Sequence, residues 1–289
     1  MDRKAFHAKI AAMGSEFSPE LIEATNAMLA PLLPAPDEAR TTRDIAYGPH
    51  ERHRLNLFRP PFDKLRTDTP APCLLFVHDG GFVMGDKGAP GAPFYNNIGA
   101  WAQKQGFVSA TMNYRLAPEV RWPAGREDVI AAILHLAGHA GEYGIDPARI
   151  VVMGHSAGAT HVADTVAAPG AAAGRFAGAI MSSGFYDLAS AVRDPFKPQY
   201  YGDGEDWSPM SPLPGLLESE IPCLFGVCEY DMIECQQQAR LLADAWLAAR
   251  GRWPVVHVQA GHNHISAARQ VGSPVDSFGP VLADFVASR

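Results

Sequence analysis

The feature that most constrains the fold of this chain is the pentapeptide Gly-His-Ser-Ala-Gly at positions 154–158. An apolar run, residues 149–153, comes directly before it, and small residues occupy positions 159–163 after it. This order predicts a buried strand, a sharp turn and the start of a helix. A serine at such a turn takes a strained backbone conformation, which native structures tolerate mostly at functional sites. We therefore expect Ser156 to be a nucleophile at the C-terminal edge of a sheet, where the helix N-terminus behind it favours negative charge.

Apolar runs and helical segments alternate along most of the chain. Further strands are predicted at residues 73–77, 107–112, 177–181, 222–227 and 255–258. Helices are predicted at residues 94–105, 124–141, 234–250 and 275–288. Alternation of this kind predicts an α/β fold, a doubly wound and mostly parallel sheet with helices on both faces. Two short segments with alternating apolar residues, 43–48 and 54–59, predict an antiparallel edge.

The remaining segments divide the chain into a small N-terminal part and a main domain. Residues 1–40 are predicted to form a helical arm or cap, with a Ser-Pro-Glu helix start at 18–20. The main domain covers 41–289, with a charged, proline-rich surface loop at 60–72 and a small cap insertion at 190–218. Two interpretations of the arm stay open: it packs on the core, or it forms part of a lid over the site.

Composition excludes several classes of partner. The net charge of −7 and the lack of Lys/Arg clusters argue against nucleic acid or a membrane surface as the main partner. No stretch has the length of a signal-peptide core or a transmembrane span. The four cysteines are too few and too irregularly spaced for a disulfide framework. We expect a cytoplasmic protein with buried free thiols, and the sequence leaves a homodimer open.

A serine nucleophile needs a base, and the base needs an orienting acid. In a doubly wound sheet these groups lie beyond the C-terminal ends of strands. The acid candidate there is Asp231, which comes immediately after a predicted strand and ahead of a helix, with Glu229 and Glu234 as competitors. The alternative structural role for Asp231 is that of a helix N-cap.

The base candidates are His262 and His264, which follow the last predicted strand. Of these we choose His264, in part on the resemblance described below, which leaves His262 to line the mouth of the site. His257 lies inside the strand, where a structural role is expected.

Backbone N–H groups are expected to bind the negative oxygen that forms during acyl transfer. Ala157 follows the nucleophile and supplies one, and Gly80 and Gly81, in the loop after the strand at 73–77, supply the others. Each donor of this type contributes about 3 kcal/mol of transition-state stabilisation. Metal-ligand spacing such as His-Glu-x-x-His and dinucleotide fingerprints do not occur in the sequence, so neither a metal nor a cofactor is expected.

Five motifs together resemble the α/β-hydrolase superfamily, in the esterase branch that includes hormone-sensitive-lipase-like and kynurenine-formamidase-like enzymes. They occupy positions 78–81 (His-Asp-Gly-Gly), 113–118 (Asn-Tyr-Arg-Leu-Ala-Pro), 146–150, 154–158 and 263–264. The resemblance implies an α/β-hydrolase fold and a triad in the chain order Ser156, Asp231, His264. The implied activity is hydrolysis of small to medium carboxylic esters through an acyl-enzyme, with a small-molecule ester as substrate. Formamide or amide hydrolysis is the alternative, and a non-catalytic binding protein with this fold is a further one.

The chain departs from the family pattern at two places. Asp79 stands where the family usually has a glycine, and Phe82-Val83 replaces the aromatic pair that follows the glycines in kynurenine formamidases. We expect the Asp79 side chain to hydrogen-bond the backbone of its own loop, the competing hypothesis being that it faces the pocket and repels acidic substrates. The substrate-binding candidates are Asp79, Phe82, Tyr186, Trp207 and His262.

Overall fold

An eight-stranded sheet forms the centre of the protein in a computed structural model that describes residues 2–61, 70–168, 170 and 175–289. Its strand order is β1-β2-β4-β3-β5-β6-β7-β8. The pairs β1–β2 and β2–β4 are antiparallel and all the others are parallel, which confirms the predicted antiparallel edge and doubly wound sheet. The strands are β1 Thr41–Ala46, β2 Arg54–Phe58, β3 Ala71–Val77, β4 Val108–Met112, β5 Ile145–His155, β6 Gly178–Ser182, β7 Cys223–Tyr230 and β8 Val256–Asn263.

Apolar side chains cover both faces of the sheet because β3 is apolar along its length and β5 is apolar from Ile150 to Met153. On β5, Val152 enters one core and its neighbours Val151 and Met153 enter the other. β3 behaves in the same way, since successive side chains of a strand point to opposite faces. Helices pack on each of these two cores. The helices are α1 Arg3–Met13, α2 Pro19–Leu29, α3 Asn96–Gln105, α4 Ala124–Gly138, α5 Ala140–Tyr143, α6 Ala157–Ala167, α7 Lys197–Tyr201, α8 Leu213–Glu218, α9 Ile233–Arg250, α10 Ser266–Arg269 and α11 Gly279–Ala287.

The N-terminal arm consists of α1 and α2. The Ser18 hydroxyl accepts a hydrogen bond from the Leu21 N–H, and this N-cap starts α2 as its sequence predicts. Phe6 and Ile10 of α1 are fully buried in a small cluster with Leu29 of α2 and with Val275 of the main domain. The arm is therefore packed on the main domain.

The insertion at 190–218 is more ordered than its sequence suggests. The short helices α7 and α8 and a single 3-10 turn at Ser208–Met210 lie within it. Lys197 is 1% exposed and pairs with Asp194 and Glu234, at 2.7 and 2.9 Å, which ties the insertion to α9.

Other predictions about the chain have mixed outcomes. All four cysteines are buried free thiols, as expected. Much of the predicted loop at 60–72 lies outside the described residues, and its last two residues already belong to β3. None of the described helices has the length and apolar character that crossing a membrane requires.

Candidate active site

The turn between β5 and α6 has the strained geometry that its sequence predicts. Ser156 has φ 55° and ψ −121°, a conformation that side-chain-bearing residues rarely adopt. A β-carbon at Gly154 would meet the Gly158 carbonyl oxygen at 2.2 Å, and one at Gly158 would meet the Val77 carbonyl oxygen at 2.2 Å. Both glycines are thus required by the close approach of strand, helix and the end of β3.

Replacing Gly158 by alanine is expected to destabilise the protein, because the rigid backbone of β3 cannot move away from the new methyl group. We expect a loss of about 3 kcal/mol, which corresponds to a fall in Tm of about 6–12 °C. The control is Gly138→Ala at the end of α4, where a β-carbon would meet no atom within 4 Å. Thermal denaturation followed by circular dichroism measures both variants. Equal Tm values would contradict the tight packing of the turn at 154–158, the elbow between β5 and α6.

The elbow brings Ser156 into line with two other predicted residues. His264 Nε2 lies 3.0 Å from Ser156 Oγ, and His264 Nδ1 lies 2.7 Å from Asp231 Oδ1. Because an ionised carboxylate only accepts, the Nδ1–H donates to Asp231, and Nε2 is left to accept the Ser156 hydroxyl proton. All three side chains are buried: Ser156 is 6%, His264 4% and Asp231 0% exposed. Side chains placed in this way can act as a nucleophile, a base and an orienting acid.

Asp231 is held as a carboxylate by its surroundings. Burial raises its pKa, but the neighbouring His264 and the hydrogen bonds to His264, Ser183 and the Cys228 N–H together bring the pKa below its usual range. The Ser183 hydroxyl donates to Asp231 Oδ2 at 2.6 Å and the Cys228 N–H does so at 3.0 Å.

Both competing acids are engaged elsewhere. Glu229 accepts from the Gly261 N–H at 2.8 Å. Glu234 pairs with Lys197 and accepts from the Val192 N–H at 2.7 Å.

His262 does not line the mouth of the site, so this prediction is wrong. Its side chain is fully buried, with Nδ1 3.1 Å from Ser266 Oγ and Nε2 3.3 Å from the Val275 carbonyl oxygen. Its ring also packs against Phe6 of the arm. In a regular strand His262 and His264 would share a face, but β8 ends at Asn263 and His264 lies in the turn beyond it. His264 therefore reaches Asp231, while His262 contacts the arm and the segment before α11.

The loop after β3 presents free N–H groups close to the elbow. Gly80 and Gly81 have φ values of 122° and 58°, and a β-carbon at Gly80 would meet the Met84 carbonyl oxygen at 2.0 Å. Within the described part of the chain, the N–H groups of Gly80, Gly81 and Ala157 donate to no other group. These conformations are ones that glycine adopts readily, and they leave the amides available as donors.

The Asp79 side chain does not hydrogen-bond its own loop, which corrects that prediction. It accepts instead from the hydroxyl of Tyr95 through Oδ1 and from Arg269 Nη2 through Oδ2, the latter at 3.3 Å. Asp79 is 8% exposed. Its partner Arg269 follows it by 190 positions, and no local sequence signal connects the two.

Two of the remaining substrate-binding candidates lie in cores. Tyr186 is 2% exposed among the apolar residues under the sheet, and its hydroxyl donates to the Met181 carbonyl. Trp207 is 3% exposed within a cluster of the insertion and donates to the Gly202 carbonyl at 3.0 Å. Tyr186 is thus placed as a core residue, whereas Trp207 shares its cluster with Ala157, so its role in substrate binding stays a prediction. Phe82 belongs to the same cluster as Trp207, beside Ala157, and its role in substrate binding stays a prediction.

Three side chains near the site were missed by the sequence reasoning. Phe17, between α1 and α2, lies edge-on to the His264 ring with centroids 5.9 Å apart, and it is 46% exposed. Arg269 is paired with Asp79, and Cys235 Sγ lies 3.9 Å from His264 Nδ1. For Phe17 the sequence offered one signal, an apolar residue directly before the helix N-cap Ser18. For Arg269 and Cys235 it offered none.

One group of described residues has potential metal donors within 4.8 Å of one another, namely Asp231, Cys235 and His264. The Asp231 and His264 atoms already share a hydrogen bond, and burial raises the pKa of the Cys235 thiol well above its usual range. A metal needs the thiolate, so this chemistry favours the triad over a metal site.

Comparison with known proteins identifies the family to which the chain belongs. The model of the prolyl oligopeptidase family matches residues 124–275, more than half of the 289 residues, and the BD-FAE model matches residues 60–182. The chain is 36% identical over 131 residues to esterase LipI of Mycobacterium tuberculosis, covering 45% of this chain and 39% of that protein. It is 34% identical over 140 residues to an ethyl acetate hydrolase of Pseudomonas putida, covering 46% and 41%. The chain thus spans about two fifths of the length of these curated relatives.

Solved structures match over nearly the whole length. A bacterial heroin esterase superposes with a TM-score of 0.69 at 23% identity, covering 98% of this chain and 95% of that one. An esterase from the archaeon Pyrobaculum calidifontis gives 0.67 at 21% identity, covering 99% and 96%. At such identities the likeness concerns the fold. The family match over residues 124–275 and this shared fold show that the chain belongs to the α/β-hydrolase superfamily, within the family that the prolyl oligopeptidase model describes.

Proposed function

We propose that the protein hydrolyses small to medium carboxylic esters by serine-based acyl transfer. The observation that carries the proposal is the continuous line of hydrogen-bonding atoms from Ser156 Oγ through both ring nitrogens of His264 to Asp231 Oδ1. Each residue follows the C-terminal end of a parallel strand, where functional groups gather in folds of this type. The names of the relatives, an esterase and an ethyl acetate hydrolase, support esters as the substrate class.

The first half of the reaction forms an acyl-enzyme. Ser156 Oγ attacks the ester carbonyl carbon while His264 Nε2 takes the hydroxyl proton. The carbonyl π electrons move to the oxygen, which becomes an oxyanion and accepts hydrogen bonds from the N–H groups of Gly80, Gly81 and Ala157. When the tetrahedral intermediate collapses, the bond to the alcohol oxygen breaks and His264 gives that oxygen its proton.

Water completes the cycle by the same route. His264 takes a proton from water as the hydroxide oxygen attacks the acyl carbon, and the Ser156 oxygen leaves with the proton that His264 returns. Throughout, Asp231 accepts from the Nδ1–H, which keeps the imidazole in the productive tautomer and stabilises its protonated form. The chain's own residues supply every proton transfer, so the proposed mechanism needs no cofactor.

A substrate series tests this proposal. We expect p-nitrophenyl esters of short and medium acyl chains to be hydrolysed, with N-formylkynurenine turned over much more slowly. The near-complete burial of Ser156 and His264 favours acyl groups of limited size. If N-formylkynurenine is turned over faster than the esters, the substrate class is formamides and the ester proposal is wrong. If folded protein, as judged by circular dichroism, hydrolyses neither class of substrate, the result would support the non-catalytic alternative.

The cytoplasmic location and the homodimer stay predictions.

A further inference from the structure

A buried ion pair connects the loop after β3 to α10. Arg269, the last residue of α10, donates from Nη2 to Asp79 Oδ2 at 3.3 Å and to the Tyr95 hydroxyl oxygen at 3.1 Å. The Tyr95 hydroxyl in turn donates to Asp79 Oδ1. Arg269 also donates from Nη1 to Asn26 Oδ1 of α2 at 2.5 Å. The carboxylate is thus fully engaged by one cation and one hydroxyl.

The position of this carboxylate matters because Asp79 directly precedes Gly80. The groups that act on Asp79 are Arg269 from α10, Tyr95 from the start of α3, His155 from the end of β5 and His78 from the end of β3. Burial raises the pKa of Asp79, but the charge of Arg269 and these other groups lower it to about 2. Asp79 is therefore ionised at neutral pH.

The loop after β3 that contains Gly80 and Gly81, here called the oxyanion loop, is proposed to bind a negatively charged oxygen. An ionised carboxylate next to this loop opposes that charge. Coulomb repulsion between two negative groups a few ångströms apart is strong in a partly desolvated site. The guanidinium of Arg269 cancels the Asp79 charge. Arg269 and Tyr95 together bond both carboxylate oxygens, so neither oxygen has to take an N–H group of the loop as its partner.

We propose that Arg269 is a positioning residue for the reaction, which neutralises Asp79 so that Gly80 and Gly81 can present their N–H groups to the oxyanion. This inference rests on the proposed function, since it assigns a role to the same site. Arg269 does not touch the reacting atoms and acts only through Asp79.

The test is a double-mutant cycle with Arg269→Met and Asp79→Asn. With Arg269→Met the buried charge of Asp79 is unpaired, and we expect kcat for a neutral p-nitrophenyl ester to fall about 10- to 100-fold with little change in KM. Adding Asp79→Asn to this variant removes the charge, and we expect most of the lost kcat to return. A double variant as slow as folded Arg269→Met would overturn the proposal.

The pH profile separates charge from structure. Without Arg269, Asp79 loses the largest of the influences that lower its pKa while burial still raises it, so we expect the pKa of Asp79 to rise towards the range where activity is measured. We expect the kcat ratio of Arg269→Met to wild type to decline as the pH rises through that pKa, and the double variant to lack this decline. A pH-independent ratio would contradict the role of the charge.

Two further variants keep the result interpretable. Arg269→Lys retains the cation although it loses the planar fork, so we expect its kcat to fall by less than about ten-fold. A 10- to 100-fold loss in folded Arg269→Lys would overturn the proposal even if Arg269→Met does not fold. Arg250→Met is the control, because Arg250 donates to the carbonyls of Leu216, Leu217 and Ser219 at the C-terminal end of α8. Its loss should cost stability, leave kcat unchanged and gain nothing from Asp79→Asn.

The rate of labelling by a fluorophosphonate gives a readout that does not depend on ester turnover. Attack of Ser156 on the fluorophosphonate also places negative charge at the oxyanion loop. We therefore expect the variants to rank in the same order by labelling rate as by kcat. If wild type is labelled but hydrolyses no carboxylic ester, the proposed function fails while the cycle on Arg269 and Asp79 is still read from labelling. Equal labelling rates in wild type and Arg269→Met would overturn the positioning role itself.

Discussion

Replacing Ser156 by alanine is expected to lower kcat for a p-nitrophenyl ester about 10⁴- to 10⁶-fold. The reason is that covalent acyl transfer loses its nucleophile, while binding and the N–H donors of the loop remain. These contribute a residual advantage of about 10³-fold over water. The fold is expected to persist, since the methyl group of alanine occupies the same space as Cβ of serine at this turn.

The matched control is Ser109→Ala on β4. Ser109 is fully buried and its hydroxyl has no hydrogen-bond partner among the described residues, so its loss should leave kcat unchanged. Steady-state kinetics measures both variants, and peptide mass spectrometry after fluorophosphonate treatment locates the label. We expect the label on Ser156 in wild type and none in Ser156→Ala. Labelling of another residue, with activity retained in the alanine variant, would refute the nucleophile assignment.

Replacing His264 by alanine is expected to lower kcat about as far as removal of Ser156, because members of a triad act as a unit. The imidazole is the base within reach of Ser156 Oγ, at 3.0 Å, and without it the hydroxyl keeps its proton. Steady-state kinetics on the same p-nitrophenyl ester measures the loss, and circular dichroism shows whether the variant is folded.

His262→Ala is the matched comparison, since it removes a second buried histidine two residues away. Its ring lies within hydrogen-bond distance of Ser266 Oγ and the Val275 carbonyl oxygen and packs on Phe6. We expect a lower Tm, with kcat reduced only a few-fold. A large loss of kcat in His262→Ala combined with an active His264→Ala would move the base to His262.

The elbow, the doubly wound sheet and the chain order of the triad were predictable because each is encoded locally. A glycine-flanked serine after an apolar run determines a strand, a strained turn and a helix, whatever surrounds them. Parallel strands gather their C-terminal ends at one edge, so residues that follow apolar runs are brought together without knowledge of their contacts. This is why Asp231 could be chosen from the sequence as the candidate acid, whereas the choice of His264 over His262 rested in part on the family resemblance.

The tertiary structure alone decided the roles of residues whose partners are far away in the chain. Asp79 has the local sequence of a turn residue, yet its carboxylate pairs with Arg269 from a helix near the C-terminus. Tyr186 follows a strand as site residues do, but its ring packs in the apolar core, where its hydroxyl donates to the Met181 carbonyl. Phe17 reaches His264 only because α1 packs on β8. Local sequence determines backbone conformation through sterics and apolar periodicity, whereas buried charges and rings find partners through long-range packing, which no short segment encodes.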